Sequence, residues 1–223
     1  MWSAVAEQMV SKYRRSLILL IYLFAAGIIL SSCQSVAPVV KIGLVGPFEG
    51  KNREIGYDVI YSARMAVREV NKAGGIGDYR VALVALDDFG DPSSAEEVAE
   101  SLALDRSVMA VIGHWLPETS KSAAAIYREQ GVPVILAGEA PLGPVDPSGY
   151  PPEFLRAYGE ITPFDEEAGP YAAAGYDALH LAVAALDLVQ QEEGSINRER
   201  VGETLEGLVI EGLVGPVSAP LTP

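Results

Sequence analysis

Residues 39–46, VVKIGLVG, are apolar and β-branched with no polar alternation, and they run straight into Gly46-Pro47. That pattern predicts a buried strand ending in a loop. Val59, Ile60, Ala63, Ala66, Val67 and Val70 then recur at helical spacing, and the run stops at Gly74-Gly75, which predicts a helix with a glycine stop. The alternation repeats down the chain. YRVALVALDD (79–88) is read as a strand; DPSSAEEVAESLALD (91–105) is read as a helix with Ser93 and Glu96 spaced as a capping box. VMAVIGH (108–114) is a strand, ETSKSAAAIYREQG (118–131) a helix ending at Gly131, and VPVILAGE (132–139) a strand.

Strands without polar alternation, each followed by one amphipathic helix, describe a parallel sheet covered on both faces. Right-handed crossovers make it an α/β doubly wound parallel sheet. Ligands of such sheets dock at the carboxyl ends of the strands. The segments GPFEG, DDFGDP, GHWLPETS and GEAP should therefore share one rim. Further on come a short helix (EFLRAYGE), a long one whose Tyr171, Ala174, Ala178, Leu181, Ala185 and Leu188 should pack against the sheet, another over roughly 197–208, and a closing EGLVGPVSAP. Between the two halves lies GEAPLGPVDPSGYPPEF (138–154), with five prolines. No helix or central strand survives that density of missing N–H donors.

The stretch from KIGLVGPFEG to VIGHW, with its NKAGGI, its DDFGDP turn and its VIGH before a Ser/Thr-containing helix start, resembles the first lobe of the periplasmic branched-chain amino-acid binding proteins. PYAAAGYDALHLAVAAL and EGLVGPVS look like the same family, so the likeness runs over most of 39–218. The resemblance implies a single lobe of a type I solute-binding fold, its first part at 39–140 and its second at 153–218. Residues 141–152 would then be a proline-rich linker replacing most of the second lobe. It implies an amino acid or similar small molecule as ligand and an ABC permease as partner, with no cofactor and no chemistry. By register the family's hydroxyl residues fall on Pro117 and near Ala140, which offer none. The candidate ligand contacts are Phe48, Trp115, Glu118, Thr119, Ser120, Gly138 and Glu139. Weak capture is expected from one lobe. The alternatives are an interaction module or homodimer using the former inter-lobe surface, with Phe48, Phe89, Trp115 and Leu116 near it, or a truncated product without function.

The N-terminus changes the picture of where the chain works. Lys12, Arg14 and Arg15 precede an apolar run from Leu17 to Leu30 and then Ser31-Ser32-Cys33, the basic, apolar, small order of a secretory signal. Cys33 is the only cysteine, and its setting resembles a bacterial lipobox. Residues 1–32 would be a lipoprotein signal, Cys33 the lipidated residue and 33–38 a tether, anchoring the exported protein to the outer face of a bacterial membrane. An uncleaved signal anchor with an incidental cysteine fits the same residues. The net charge is −14 for the whole chain, which argues against nucleic acid or an anionic lipid surface as partner.

Other chemistry finds little support. There is no Gly-x-Ser-x-Gly elbow and no Cys/His pair. The set Asp88, His114 and Ser120 is the only hydrolase-like combination. Asp87, Asp88 and Asp91 are read as turn formers rather than a cation cluster. His114 is read as a packed strand-end residue and His180 as structural, and two histidines with one lipidated cysteine make no metal set.

Overall fold

Four apolar runs become one parallel sheet: β1 (Val39–Gly46), β2 (Arg80–Asp87), β3 (Val108–Ile112) and β4 (Val134–Ile135), in the order β2-β1-β3-β4. The computed structural model describes residues 37–219. The signal segment 1–32, Cys33 and most of the tether 33–38 lie outside the described residues. β1 pairs with β2 along its full length, from Val39 opposite Arg80 to Gly46 opposite Asp87. On its other side it meets β3, so β1 has a neighbour on both flanks and most of its residues are buried.

Each strand alternates between two apolar layers. Val40, Ile42 and Leu44 of β1 with Ala110 and Ile112 of β3 face one cluster, while Val45, Val108 and Val111 face the other. Helix α1 (Arg53–Lys72) covers the first face. Helices α2 (Pro92–Leu104) and α3 (Pro117–Glu129) cover the second. After the proline-rich stretch and α4 (Pro152–Ile161), the long α5 (Ala172–Glu193) and short α6 (Arg198–Leu205) return to the first face. The doubly wound sheet is thus present, with a small antiparallel hairpin, β5 (Val209–Glu211) and β6 (Pro216–Ser218), at the end. Among the described residues α5 alone is long and apolar enough to cross a bilayer, but most of it is buried in the core.

The later half of the chain is stitched to the earlier half by backbone proximity and buried acids. Gly175 of α5 lies against α1 so closely that a Cβ there would sit 2.8 Å from Val59 Cα and 2.5 Å from Ser62 Oγ. Asp58 of α1 accepts the Gly169 and Tyr171 N–H groups at 3.1 and 3.0 Å, satisfying two donors at the entry to α5. Arg198 donates to the carbonyls of Ala103, Asp105 and Val108. Asp177 accepts Leu213 N–H at 3.0 Å and so holds the turn of the β5–β6 hairpin. The proline-rich stretch is part of this core. Leu142 is fully buried, and Tyr150 donates from its hydroxyl to the Gly169 and Pro170 carbonyls.

Several expectations need correction. The predicted strand 132–139 pairs only at Val134–Ile135, because β4 is the last strand on its side and has a neighbour on one flank only. The cap of α2 is Asp91, whose carboxylate accepts Ser94 N–H at 2.9 Å with Pro92 at the first helical position, in place of a Ser93–Glu96 box. Pro there starts the helix two residues earlier than the box assumes. The helix expected over 197–208 is Arg198–Leu205, with Asn197 as its cap. Leu188 is 39% exposed, because the buried face of α5 continues through Leu186 and Val189 instead.

Two outcomes follow from the stitching. Gly175→Ala should lower stability by about 1–3 kcal/mol through overpacking. Gly159→Ala in α4, where the added methyl meets nothing within 4 Å, should raise it by about 0.5–1 kcal/mol. Urea unfolding of both variants checks the contrast. Burial pushes the Asp177 carboxyl up to about 6, only partly opposed by the Leu213 N–H. A raised folded pKa means that protonation favours the folded state, so this contribution is complete below the ordinary aspartate range and is lost as pH rises through about 6. Asp177→Asn should flatten the stability loss seen between pH 4 and 6.5 in denaturant titrations of the unmodified chain.

Candidate functional site

The carboxyl ends of the four strands meet at one rim because all four run parallel, and this is where loops can converge on a ligand. The loop after β1 is tied to the loop after β2. Asp87 accepts Phe48 N–H at 3.0 Å and Phe89 N–H at 2.7 Å, and Asp88 N–H donates to Gly46. The acids of the DDFGDP turn therefore spend their oxygens on backbone donors, Asp88 on Gly90 and Asp91 on Ser94. Among the described residues no three His, Cys, Asp or Glu side chains gather as a metal site.

The loop after β3 passes into α3 under tight packing. Gly138, at φ +102°, lies against the Trp115 carbonyl where any Cβ would collide. Leu116 occupies the cap position of α3 and has no side-chain acceptor, and Pro117 follows as the first helical residue. Thr119 turns its hydroxyl back to the Leu116 carbonyl at 3.0 Å, and Ser120 N–H bonds to that same carbonyl. Two backbone donors, those of Glu118 and Thr119, are thus left at a helix N-terminus without a side-chain cap, an arrangement that suits a carboxylate. A pocket of about 220 Å³ opens beside them, lined by Trp115, Pro117, Ser120, Leu136, Glu139 and Ala140, with Ala137 between.

The seven residues expected to contact ligand have separate fates. Trp115, Ser120 and Glu139 come together in the pocket wall. Gly138 adjoins them, but its N–H is bonded to the Leu142 carbonyl. Glu118 is exposed beside the wall and Phe48 half-buried on the β1 loop. Thr119 is fully buried, so neither its side chain nor its backbone N–H is open to a ligand. Trp115 is 3% exposed and stands edge-on to Tyr171, and its indole N–H finds no hydrogen-bond partner among the described residues. Of the apolar rim residues only Phe89 stands well out into solvent, at 57% exposure. Pro117 and Ala140, neither of which offers a hydroxyl, line the pocket.

Beneath the rim lies a buried polar chain that sequence reading reached only in part. His114 Nδ1 is 2.7 Å from Asp88 Oδ2, and its Nε2 is 3.2 Å from the Tyr127 hydroxyl. His114 and Asp88 are essentially inaccessible. Burial first, and the Asp88 carboxylate second, push the Tyr127 hydroxyl above the ordinary phenol range. Every side-chain polar atom here has a partner, so the chain ties the β2 loop, the β3 loop and α3 into one unit. Ser120 Oγ donates to the His114 backbone carbonyl rather than to its ring. The combination Asp88, His114 and Ser120 therefore does not form a nucleophile–base pair. Sequence reading did not single out Tyr127, whose hydroxyl meets a histidine thirteen residues earlier in the chain.

Comparison with known proteins bears on the family and the fold. The sequence profile described as periplasmic binding protein matches residues 39–153. A leucine-, isoleucine-, valine-, threonine- and alanine-binding protein of Pseudomonas aeruginosa is 32% identical over 163 residues, 72% of this chain and 43% of that protein. The Leu/Ile/Val-binding protein of Escherichia coli is 29% identical over 188 residues, 82% of this chain and 46% of that one. The solved structure of the branched-chain amino acid transporter substrate binding protein LivJ from Streptococcus pneumoniae, in complex with isoleucine, superposes with a TM-score of 0.67 at 16% identity. That match covers 81% of this chain and 91% of the other, and at such identity it speaks for the fold. The chain spans less than half the length of these curated relatives. With the profile matched over more than half of its residues, the chain belongs to the periplasmic binding protein family.

Proposed function

We propose that this chain is an exported solute-binding lobe of the branched-chain amino-acid type, tethered to the outer face of a bacterial membrane through Cys33 and derived from the binding component of an ABC transporter. The observation that carries the reading is the uncapped start of α3, where the exposed Glu118 offers its N–H beside the rim pocket. A ligand α-carboxylate would sit on that donor. Ser120, Glu139 and the backbone around Gly138 would flank its ammonium group, and Phe48 would approach from the β1 loop. The names of the relatives supply leucine, isoleucine and valine as first ligands to try.

In this reading residues 39–140 and 153–218 are the two pieces of one lobe, and 141–152 replaces the second lobe. Closure of two lobes buries most of a small ligand. One rim leaves half of the molecule in water, so binding is weak, and the exposed Glu118 and Glu139 add repulsion toward the carboxylate. The protein captures its ligand without chemical conversion.

Thermal unfolding of residues 34–223 with millimolar leucine, isoleucine, valine and a wider amino-acid panel tests the ligand reading. A solute at ten times its dissociation constant adds about 1.4 kcal/mol, a rise of roughly 3–6 °C for a domain of this size. Such a shift for a branched-chain amino acid, absent for its amide and for a Ser120→Trp variant that fills the pocket, is the expected result. A transition that no solute moves would rule the reading out. Cys33→Ser should release the exported chain from the membrane pellet into the soluble fraction. Unchanged pelleting would point to an uncleaved anchor.

A further inference from the structure

Away from the rim, the contact between α1 and α5 carries a polar group that the ligand reading does not use. Tyr176 and His180 stand four residues apart and so share one face of α5, with ring centroids 4.4 Å apart. Glu69 of α1 meets both. Its Oε2 accepts the Tyr176 hydroxyl at 2.5 Å and lies 3.8 Å from His180 Nε2. That last distance is too long for a hydrogen bond, and Nε2 has no hydrogen-bond partner among the described residues. A shielded ring nitrogen left in this way costs stability unless something else uses it.

The charges that act on this group are negative: Glu69 on His180, and Glu69 with Asp177 on Tyr176. Arg68 and Lys72, the cations nearest to Glu69 in the sequence, form no ion pair with it among the described residues. Burial lowers the His180 imidazole below the ordinary histidine range against the opposing Glu69, so the ring is neutral at neutral pH. Burial first, and the bond to Glu69 second, hold the Tyr176 hydroxyl above the ordinary phenol range, so it stays a donor. A neutral imidazole beside a carboxylate is a ligand pair for a borderline divalent ion, and a hydrogen bond from a neighbouring group is what aims a ligating carboxylate. The side chains of His180 and Glu69 are 31% and 45% exposed, so the pair opens to solvent as the glutamate turns. We propose that His180 Nε2 and the Glu69 carboxylate bind Zn²⁺, with Tyr176 aiming the carboxylate and water completing the coordination.

The distances select a tetrahedral ion. Zinc bonds of about 2.1 Å at a tetrahedral angle put nitrogen and oxygen about 3.4 Å apart, so the 3.8 Å gap closes by a few tenths of an ångström of glutamate movement. A square-planar ion would demand about 3.0 Å and twice that movement. The bound ion joins α1 to α5, helices from the two stretches that the proline-rich segment separates, and so tightens the approach that Gly175 allows. An ion that binds the folded chain alone stabilises it. None of the three residues lines the rim pocket, so this site is independent of the ligand reading.

Calorimetry and imidazole-nitrogen NMR read the outcome, on residues 34–223 with Zn²⁺ at micromolar to submillimolar concentration. These residues include the whole compact unit from Pro38 onward. The chain has two histidines and His114 is inaccessible, so the two ring signals separate the site from background. One Zn²⁺ per chain is expected, moving the His180 Nε2 resonance and leaving those of His114 in place. The unfolding midpoint should rise by a few degrees at ten times the dissociation constant. Glu69→Gln and His180→Gln should each weaken binding at least about tenfold, and Tyr176→Phe about tenfold with the His180 signal still moving. Glu69 is exposed, so its variant probes the site without disturbing the core. Binding that leaves the His180 signal unmoved, or that survives Glu69→Gln unchanged, overturns the proposal. So does a chain that takes up no Zn²⁺ over this range, or one that takes Mg²⁺ equally well, which would mark only the general pull of an acidic surface.

Discussion

Everything in this fold depends on how closely α5 approaches α1. The two helices belong to stretches separated by the proline-rich segment, and their contact closes the first apolar layer over Ile42, Leu44 and Ile112. Gly175 permits the approach by removing the only atom that would strike Val59 and Ser62. Asp58 then satisfies the backbone at the entry to α5. Without that layer β1 and β3 would show one bare face, and a parallel sheet tolerates no bare face.

The same constraint shapes the rim. Fixing α5 places Tyr171 against Trp115, which holds the loop after β3 in place, and the Asp88–His114–Tyr127 chain holds it from the other face. The start of α3 is therefore set between two rigid supports, and its free N–H groups do not need to be organised at the moment of binding. In the proposed reading, such preorganisation would offset part of the affinity lost when one side of the ligand stays wet. It leaves untouched the other cost of a four-stranded sheet, the open flank of β4.

Much of the site was legible because local chemistry decides it. The Pro117 helix start, the DDFGDP turn and the glycine at 138 follow from fixed φ angles, short acids and a position that rejects Cβ. Thr119 and Trp115 were legible as rim residues but not as buried ones, because side-chain direction at a helix start depends on what packs above it. Thr119 turns to Leu116, and Trp115 turns into the core toward Tyr171. The pairing of His114 with Tyr127, thirteen residues apart across a strand-to-helix turn, leaves no trace in periodicity.

The sequence by itself determined the alternation of strands and helices, the parallel sheet and the rim, since each rests on hydrophobic period, caps and breakers within some twenty residues. Only the tertiary structure decided that β4 ends the sheet, that the proline-rich stretch buries Leu142 and Tyr150 in the core, and that a furrow runs beside α3. Those features depend on which elements meet across long separations, and the local order of side chains does not encode which distant partners meet.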